Sequence, residues 1–581
     1  MNNSRTIKTP QSADLISFSI LIDGSEIPGV YQVTNITVES ELNRIPFAQI
    51  AFIDGNAATQ DFKLSNEDLL IPGKEIEIKA GYHNDVETIF KGIIIKQSIK
   101  IGHHGSLLLI ECRDKAVKMT IGRKSNYYYE SSDSDILDNL IKSHNLQSSV
   151  EATTPIHPEM VQYRSSDWDF MLTRAQANGL VCSVESGKIT LQKPNLDQDP
   201  IETVTYGATL LSFDAEMDAR NQFSKISSYG WNSSDQEVVE VEAANPNYSL
   251  NGNITAETLA KTIDLENLEL KHGGTSNSEV LQQWGNAKAS FQQLAKTRGK
   301  VTFQGIASVK PNTKLTLEGV GDRFNGDIYI SAVKHQLVDG NWTVDAQFGL
   351  NPKWFSETYD ISENLASGLV PAIHGLQIGV VTQLQDDPDA EDRILVRLPI
   401  INNKEQGIWA RVASTDAGDT RGVFFRPEIG DEVLVGFIND DPNHACILGG
   451  FHSSNKPAPW QSNDDNHEKG IMTRSGMYLL FNDDTNTITI NTPKGNSIVL
   501  DEDSGHVKIE DENGSKVLLD SDGISLESSK DINLKATGDV NIEGVNINIH
   551  ASAQLTAEGG AGAELSTSAI AVVKGSLVQI N

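Results

Sequence analysis

Residues 530–552 read KDINLKATGDVNIEGVNINIHAS, and their strict alternation decides how the end of the chain folds. Ile532 and Leu534 recur eight residues later as Val540 and Ile542, and eight residues earlier as Ile524 and Leu526. Three octads therefore align: GISLESSK, DINLKATG and DVNIEGVN. A period of two is a strand with one face buried and the other wet. A repeat at fixed spacing is a stack of like units, yet eight residues make no core alone. Two readings follow from the residues. One is a single-chain β-solenoid in which three octads form a coil. The other is three chains winding together, with Ile547 and Ile549 continuing the inward set after a one-residue slip around Gly544.

The totals limit the rest. The length of 581 residues suggests about four domains. No apolar run is long enough to predict a membrane-spanning helix, and MNNSRTIKTPQSADLISFS lacks the pattern of an export signal. A net charge of −32 disfavours binding to phosphate backbones, so no nucleic-acid partner is expected. Cys112, Cys182 and Cys446 lie far apart in apolar strand-like runs and read as small core residues, with no disulfide framework.

Along the chain, residues 1–13 read as a tail. Residues 14–120 are strand-rich, as a first β-barrel would be. Residues 121–202 form a small α/β insert: SSDSDILDNLIKSHNL and SSDWDFMLTRAQANGL are helical, with Ser166 as a cap, and LVCSVESGKITLQ is a hairpin turning at Ser186-Gly187. Residues 203–355 hold a second β-barrel with a helix, and 356–372 a linker. Short strands with frequent turns over 373–460 predict a Greek-key barrel. From 461 to 581 nearly everything alternates, as TITINT, SIVLDED, HVKIEDE, KVLLDSD and then the octads.

No catalytic constellation emerges. Asp431 and Glu432 are strand neighbours that face apart. His103-His104 sits in a turn without further ligands, and His550 falls on the outer face. Tyr127, Tyr128 and Tyr129 read as a strand with one buried ring. No cofactor and no metal is expected.

WARV at 409–412, PEIGDEVLVGF at 427–437 and DDPNHACILGG at 440–450 resemble the OB-fold of VgrG-type spike proteins of contractile injection systems. SDWDFMLTRAQANGLV at 166–181 is similar to the hub helix of that family, and the order of parts resembles phage-tail hubs and spikes. Trp409, Arg411, Pro427, Gly430, Asp431 and Gly449 carry the barrel signature. At 392–393 an Asp-Arg pair stands where the family often has Gly-Arg, which leaves that turn in question.

The resemblance implies a mainly β chain with two hub barrels and an α/β insert, an OB barrel and a trimeric β-helix needle. It favours the three-chain reading, with Ile524, Leu526, Ile532, Leu534, Val540, Ile542, Ile547 and Ile549 on the axis. About twelve octads would then span on the order of 60 Å. It further implies a hexameric tube protein, baseplate proteins, effector cargo and a PAAR-like tip cap as partners. The cap would sit against Val572, Val573, Leu577, Val578 and Ile580. Assembly in a bacterial cytoplasm, followed by ejection and transient contact with a target membrane, completes the expectation. A glycan-degrading β-helix enzyme and a phage baseplate hub are the alternatives. The segment between barrel and needle, SSNKPAPWQSNDDNHEKG, is too short to hold an inserted hydrolase.

Overall fold

The computed structural model describes residues 16–103 and 105–580. The tail expected at 1–13 and His104 lie outside the described residues. Two compact units divide the chain: residues up to His374 with Phe437–His444, and Gly375–Gly436 with Ala445 onward.

In the first unit a 13-stranded sheet dominates the described residues. Its strands alternate between buried and exposed residues, as in Glu75–Tyr82 (EIEIKAGY), because successive side chains leave a strand on opposite faces. Ile20, Ile36, Ile50, Phe52, Ile78 and Leu108 fill one core, whereas Val301, Phe303, Leu315, Ile330 and Val344 fill a second. The two cores do not divide cleanly between the strand-rich blocks, since Leu337 and Trp342 of the second block pack into the first core. The blocks are one hydrogen-bonded sheet, joined where Ala332–Val338 runs antiparallel to Asn35–Glu41. Alternation specifies a face for each strand and says nothing of which block its edge will pair with, so the junction was not visible in the sequence.

The insert has its own core of Ile136, Leu137, Trp168, Met171, Cys182 and Leu191. Helices α1 (Asp133–Ser143) and α2 (Asp167–Ala177) start alike, with Ser132 and Ser166 accepting from the backbone N–H of Asp135 and Asp169. Helix α2 ends in a Schellman turn: Gly179 N–H donates to Gln176 and Leu180 N–H to Ala175, with Gly179 at φ +74°. The buried Asp133 carboxylate accepts from Arg174 Nε at 2.7 Å, Asn178 Nδ2 at 2.8 Å and His157 Nε2 at 3.0 Å. Burial alone would raise its pKa, but these donors outweigh it and hold the group below the ordinary carboxylate value. Tyr128 stacks on Phe170 while Tyr127 and Tyr129 stay exposed, which is the one-buried-ring arrangement expected of that strand. The 356–372 stretch holds a single 3-10 turn, Leu365–Gly368, after a four-residue helix at Phe355–Thr358.

In the second unit, Gln377–Gln383, Ile394–Arg397, Ile408–Val412, Ala445–Gly450 and Glu432–Phe437 close into a five-stranded barrel. Val381, Ile394, Val396, Ala410, Val433, Val435 and Ile447 fill it. Its one parallel pair, Arg411 beside Cys446 and Val412 beside Ile447, marks a Greek-key crossover. The questioned turn keeps its geometry. Asp392 adopts φ +58°, left-handed backbone that Asp tolerates better than most residues. Arg426 then holds it, donating to its carbonyl at 2.9 Å and pairing with its carboxylate.

The junction of the two blocks carries a titratable group. His335 lies in register with Val38 and Val344, packs against the Trp342 ring, and is 5% exposed. Burial, reinforced by Lys310, pushes its pKa down to about 4. The unfolded value is near 6.5. Protonation therefore favours the unfolded chain, and stability falls as pH drops from about 6.5 toward 4. The loss reaches on the order of 2 kcal/mol at pH 5. Urea unfolding at pH 7 and pH 5 should show this difference in the wild-type chain and a smaller one in His335→Phe. An equal difference in both would remove the histidine as its cause.

Candidate functional site

Beyond the barrel the chain folds into a seven-stranded antiparallel meander. Its five-residue strands begin at 468, 478, 487, 497, 506, 516 and 523. The first six starts are ten and nine residues apart in alternation. The turns take Gly495, Gly505 and Gly514 in the left-handed region, as hairpins of this length require. This corrects the expectation of octad winding from the start of the 461–581 region: through Glu527 each strand pairs with its neighbours in the same chain. The warning lay in the turns PKGN, DSG and ENG, which spaced the strands nine or ten apart instead of eight.

The register puts two apolar residues of every strand from the second onward on one face. Leu479 and Phe481 stand opposite Ile490 and Ile488. Those meet Ile498 and Leu500, which meet Ile509 and Val507. Val517 and Leu519 follow, then Leu526 and Ile524. The other face is mixed: Asn482, Thr489, Asp501, Lys508 and Lys516 lie there beside Leu480, Val499 and Leu518. A sheet with one apolar face needs a second layer to cover it. Among the described residues none is present: Ile498 is 37% exposed, Ile509 46% and Ile524 74%. Covering these twelve side chains would contribute on the order of 10 kcal/mol per chain before the cost of association.

After Glu527 no strand is present among the described residues, and residues 529–580 are all exposed. Ile524 and Leu526 close the meander. Ile532, Leu534, Val540, Ile542, Ile547 and Ile549 continue the alternation with nothing covering them. Val572, Val573, Leu577, Val578 and Ile580 at the far end are likewise exposed. Backbone without ladder partners, carrying apolar side chains in alternation, is suited to pairing with another strand. Ile532 overhangs the meander's apolar face, enclosing with Ile490, Ile498, Ile509, Val517 and Leu526 an open hollow of about 500 Å³.

The barrel signature residues have structural places. Trp409 sits in register with Leu395, and Arg411 and Gly449 are exposed on their strands. Pro427 leads into the turn where Gly430 takes φ +86° and donates to Val381 at 2.8 Å. Asp431 accepts from Glu428 N–H at 2.8 Å and from Lys456 Nζ at 2.7 Å, and these contacts hold its pKa low against the opposing effect of burial. Among the described residues no group of three His, Cys, Asp or Glu side chains is placed to hold a metal ion.

The family model described as the Alg8 N-terminal domain matches residues 12–339, more than half of the chain. The chain belongs to the Alg8 N-terminal domain family. Residues 377–452 match a second model, the type VI secretion system/phage-baseplate injector OB domain, over the closed barrel. The chain is similar to the actin cross-linking toxin VgrG1 of Vibrio cholerae serotype O1, 23% identical over 61% of this chain and 34% of that protein. It is also similar to the type VI secretion system spike protein VgrG3 of Vibrio cholerae serotype O1, 29% identical over 18% of this chain and 11% of that one. The chain thus spans about a third or less of the length of these curated relatives. Among solved structures, the tail protein from Neisseria meningitidis MC58 is 13% identical with a TM-score of 0.43, covering 59% of this chain and 99% of that one. The resemblance to VgrG-type spike proteins read from 409–450 is borne out by the injector OB model and the curated relatives.

The register makes a sharp local prediction. Lys508 and Ile509 are neighbours on opposite faces. Lys508→Ser should change thermal stability by less than about 0.5 kcal/mol. Ile509→Ser should cost about 2 kcal/mol per chain where a second layer covers its face. Equal, small effects in melting experiments would mean that the apolar face stays wet.

Proposed function

We propose that this protein is the trimeric hub and spike of a contractile injection machine, and that its action is mechanical. The observation that carries this is the uncovered apolar stripe running from Leu479 to Ile549 beneath an injector OB barrel. Three copies bring three such stripes together around an axis, giving each sheet its second layer and each unpaired strand its ladder. The result is a stiff rod with a dry interior and an acidic outer face. The needle region, 461–581, carries 19 Asp and Glu against 8 Lys and Arg.

The two cores of the hub sheet would give six cores in a trimer. That number suits a hexameric tube protein at one end and a threefold needle at the other. The exposed Val572, Val573, Leu577, Val578 and Ile580 would receive a PAAR-like cap by strand addition. Baseplate proteins would hold the collar, and effector cargo would ride on the cap or in the tube. The machine would assemble in a bacterial cytoplasm, and contraction would drive the rod through a target envelope or release it within an extracellular particle.

A cross-linking experiment separates three chains from a single-chain solenoid. Ile542→Cys should give disulfide-linked dimers on a non-reducing gel after mild oxidation, because inward residues of different copies meet at the axis. Asn541→Cys, facing outward, should not. No dimers from Ile542→Cys, or equal yields from both, would contradict the proposal.

A further inference from the structure

The needle holds two segments that differ in one physical respect. In Glu468–Glu527 every strand already has ladder partners in its own chain, and only one face lacks cover. In 529–580 both the ladder and the cover are missing. The first segment can form its hydrogen bonds before any other copy arrives. The second cannot: each of its backbone groups would exchange water for nothing.

We infer that the meander is the trimerisation nucleus and that the octads zip onto it afterward, from Ile532 toward the tip. This rests on the trimeric reading above and adds an order to it. The occupant assigned to the apolar face is a second copy of the same face. Three observations support that choice. Nine of the twelve side chains in the stripe are more than a third exposed, an apolar area of the order that a stable interface buries per partner. The sequence alternation continues from Ile524 and Leu526 into Ile532 and Leu534 at the same eight-residue spacing, so the face that nucleates is followed directly by the positions that zip. And Ile532, the first octad residue beyond the meander, already overhangs the hollow lined by Ile498 and Ile509. Seating other copies' side chains in that hollow would bring the three Ile532 side chains close together and set the register of everything that follows.

Closing a long unpaired segment onto partners is entropically expensive when its ends are free. It becomes a local step once one end is held by an assembled base. A nucleus at the start of the needle therefore makes each octad's pairing effectively intramolecular. A nucleus at the tip would leave fifty residues of each chain to find register unaided, and an octad repeat slips easily by one unit.

Two measurements on the full chain test the order. In the first, Ile542→Asp should keep the mass of three copies while protease removes residues beyond about 529. Ile509→Asp should lose that mass, with the octads equally cleavable. A trimeric Ile509→Asp with protected octads, or a monomeric Ile542→Asp, would overturn the inference. The second measurement needs no variant and guards against simple misfolding. During refolding of the wild-type chain, pulsed hydrogen exchange should protect 468–527 first and 529–580 only in a later phase. Simultaneous or earlier protection of 529–580 would overturn the order. If the wild-type chain itself had the mass of one copy, the trimeric reading would fail instead.

Discussion

The structure depends on an apolar face that its own chain does not cover. The strands between Leu479 and Leu526 present two aliphatic or aromatic residues each to the same side, and the opposite side mixes polar and charged residues with Leu480, Val499 and Leu518. A monomer would keep that stripe wet, at a cost comparable to the whole stability of an ordinary domain. The chain beyond Glu527 raises the demand further, since it lacks a ladder as well as a core. In the proposed trimer, symmetry would relieve both at once. A closed threefold arrangement would cover the stripes, pair the strands and leave no edge to aggregate.

The rest of the chain prepares this arrangement. The barrel that precedes the meander is closed, and its turn at Asp392 is held by Arg426. In the first unit, the 13-stranded sheet spans two cores and the insert carries a third. Its buried carboxylates are fully supplied with donors, as Asp133 shows with Arg174, Asn178 and His157.

Much of this was legible in the sequence, for identifiable reasons. The α/β insert declared itself through caps at Ser166 and Gly179 and through the turn at Ser186-Gly187, which are local devices with fixed chemistry. The barrel was legible from PEIGDEVLVGF and its neighbours. The octads were legible because a period of eight superimposed on a period of two has few structural meanings. What the sequence hid is relational. Alternation fixes which side chains share a face but leaves the partner strand open, so the joining of the two hub blocks at Ala332–Val338 and Asn35–Glu41 could not be read. For the same reason hairpins at 468–527 and octads beyond 527 looked like one pattern. Only the turn glycines, Gly495, Gly505 and Gly514, separated them.

The central claim is that the needle is incomplete in one chain and complete in three. The most direct measurement is the solution mass of the purified full chain, by light scattering after size exclusion at micromolar concentration. A mass near three times 63.3 kDa is the predicted result. A mass near 63.3 kDa would contradict it, because the apolar stripe and the unpaired octads would then have to be satisfied within one chain.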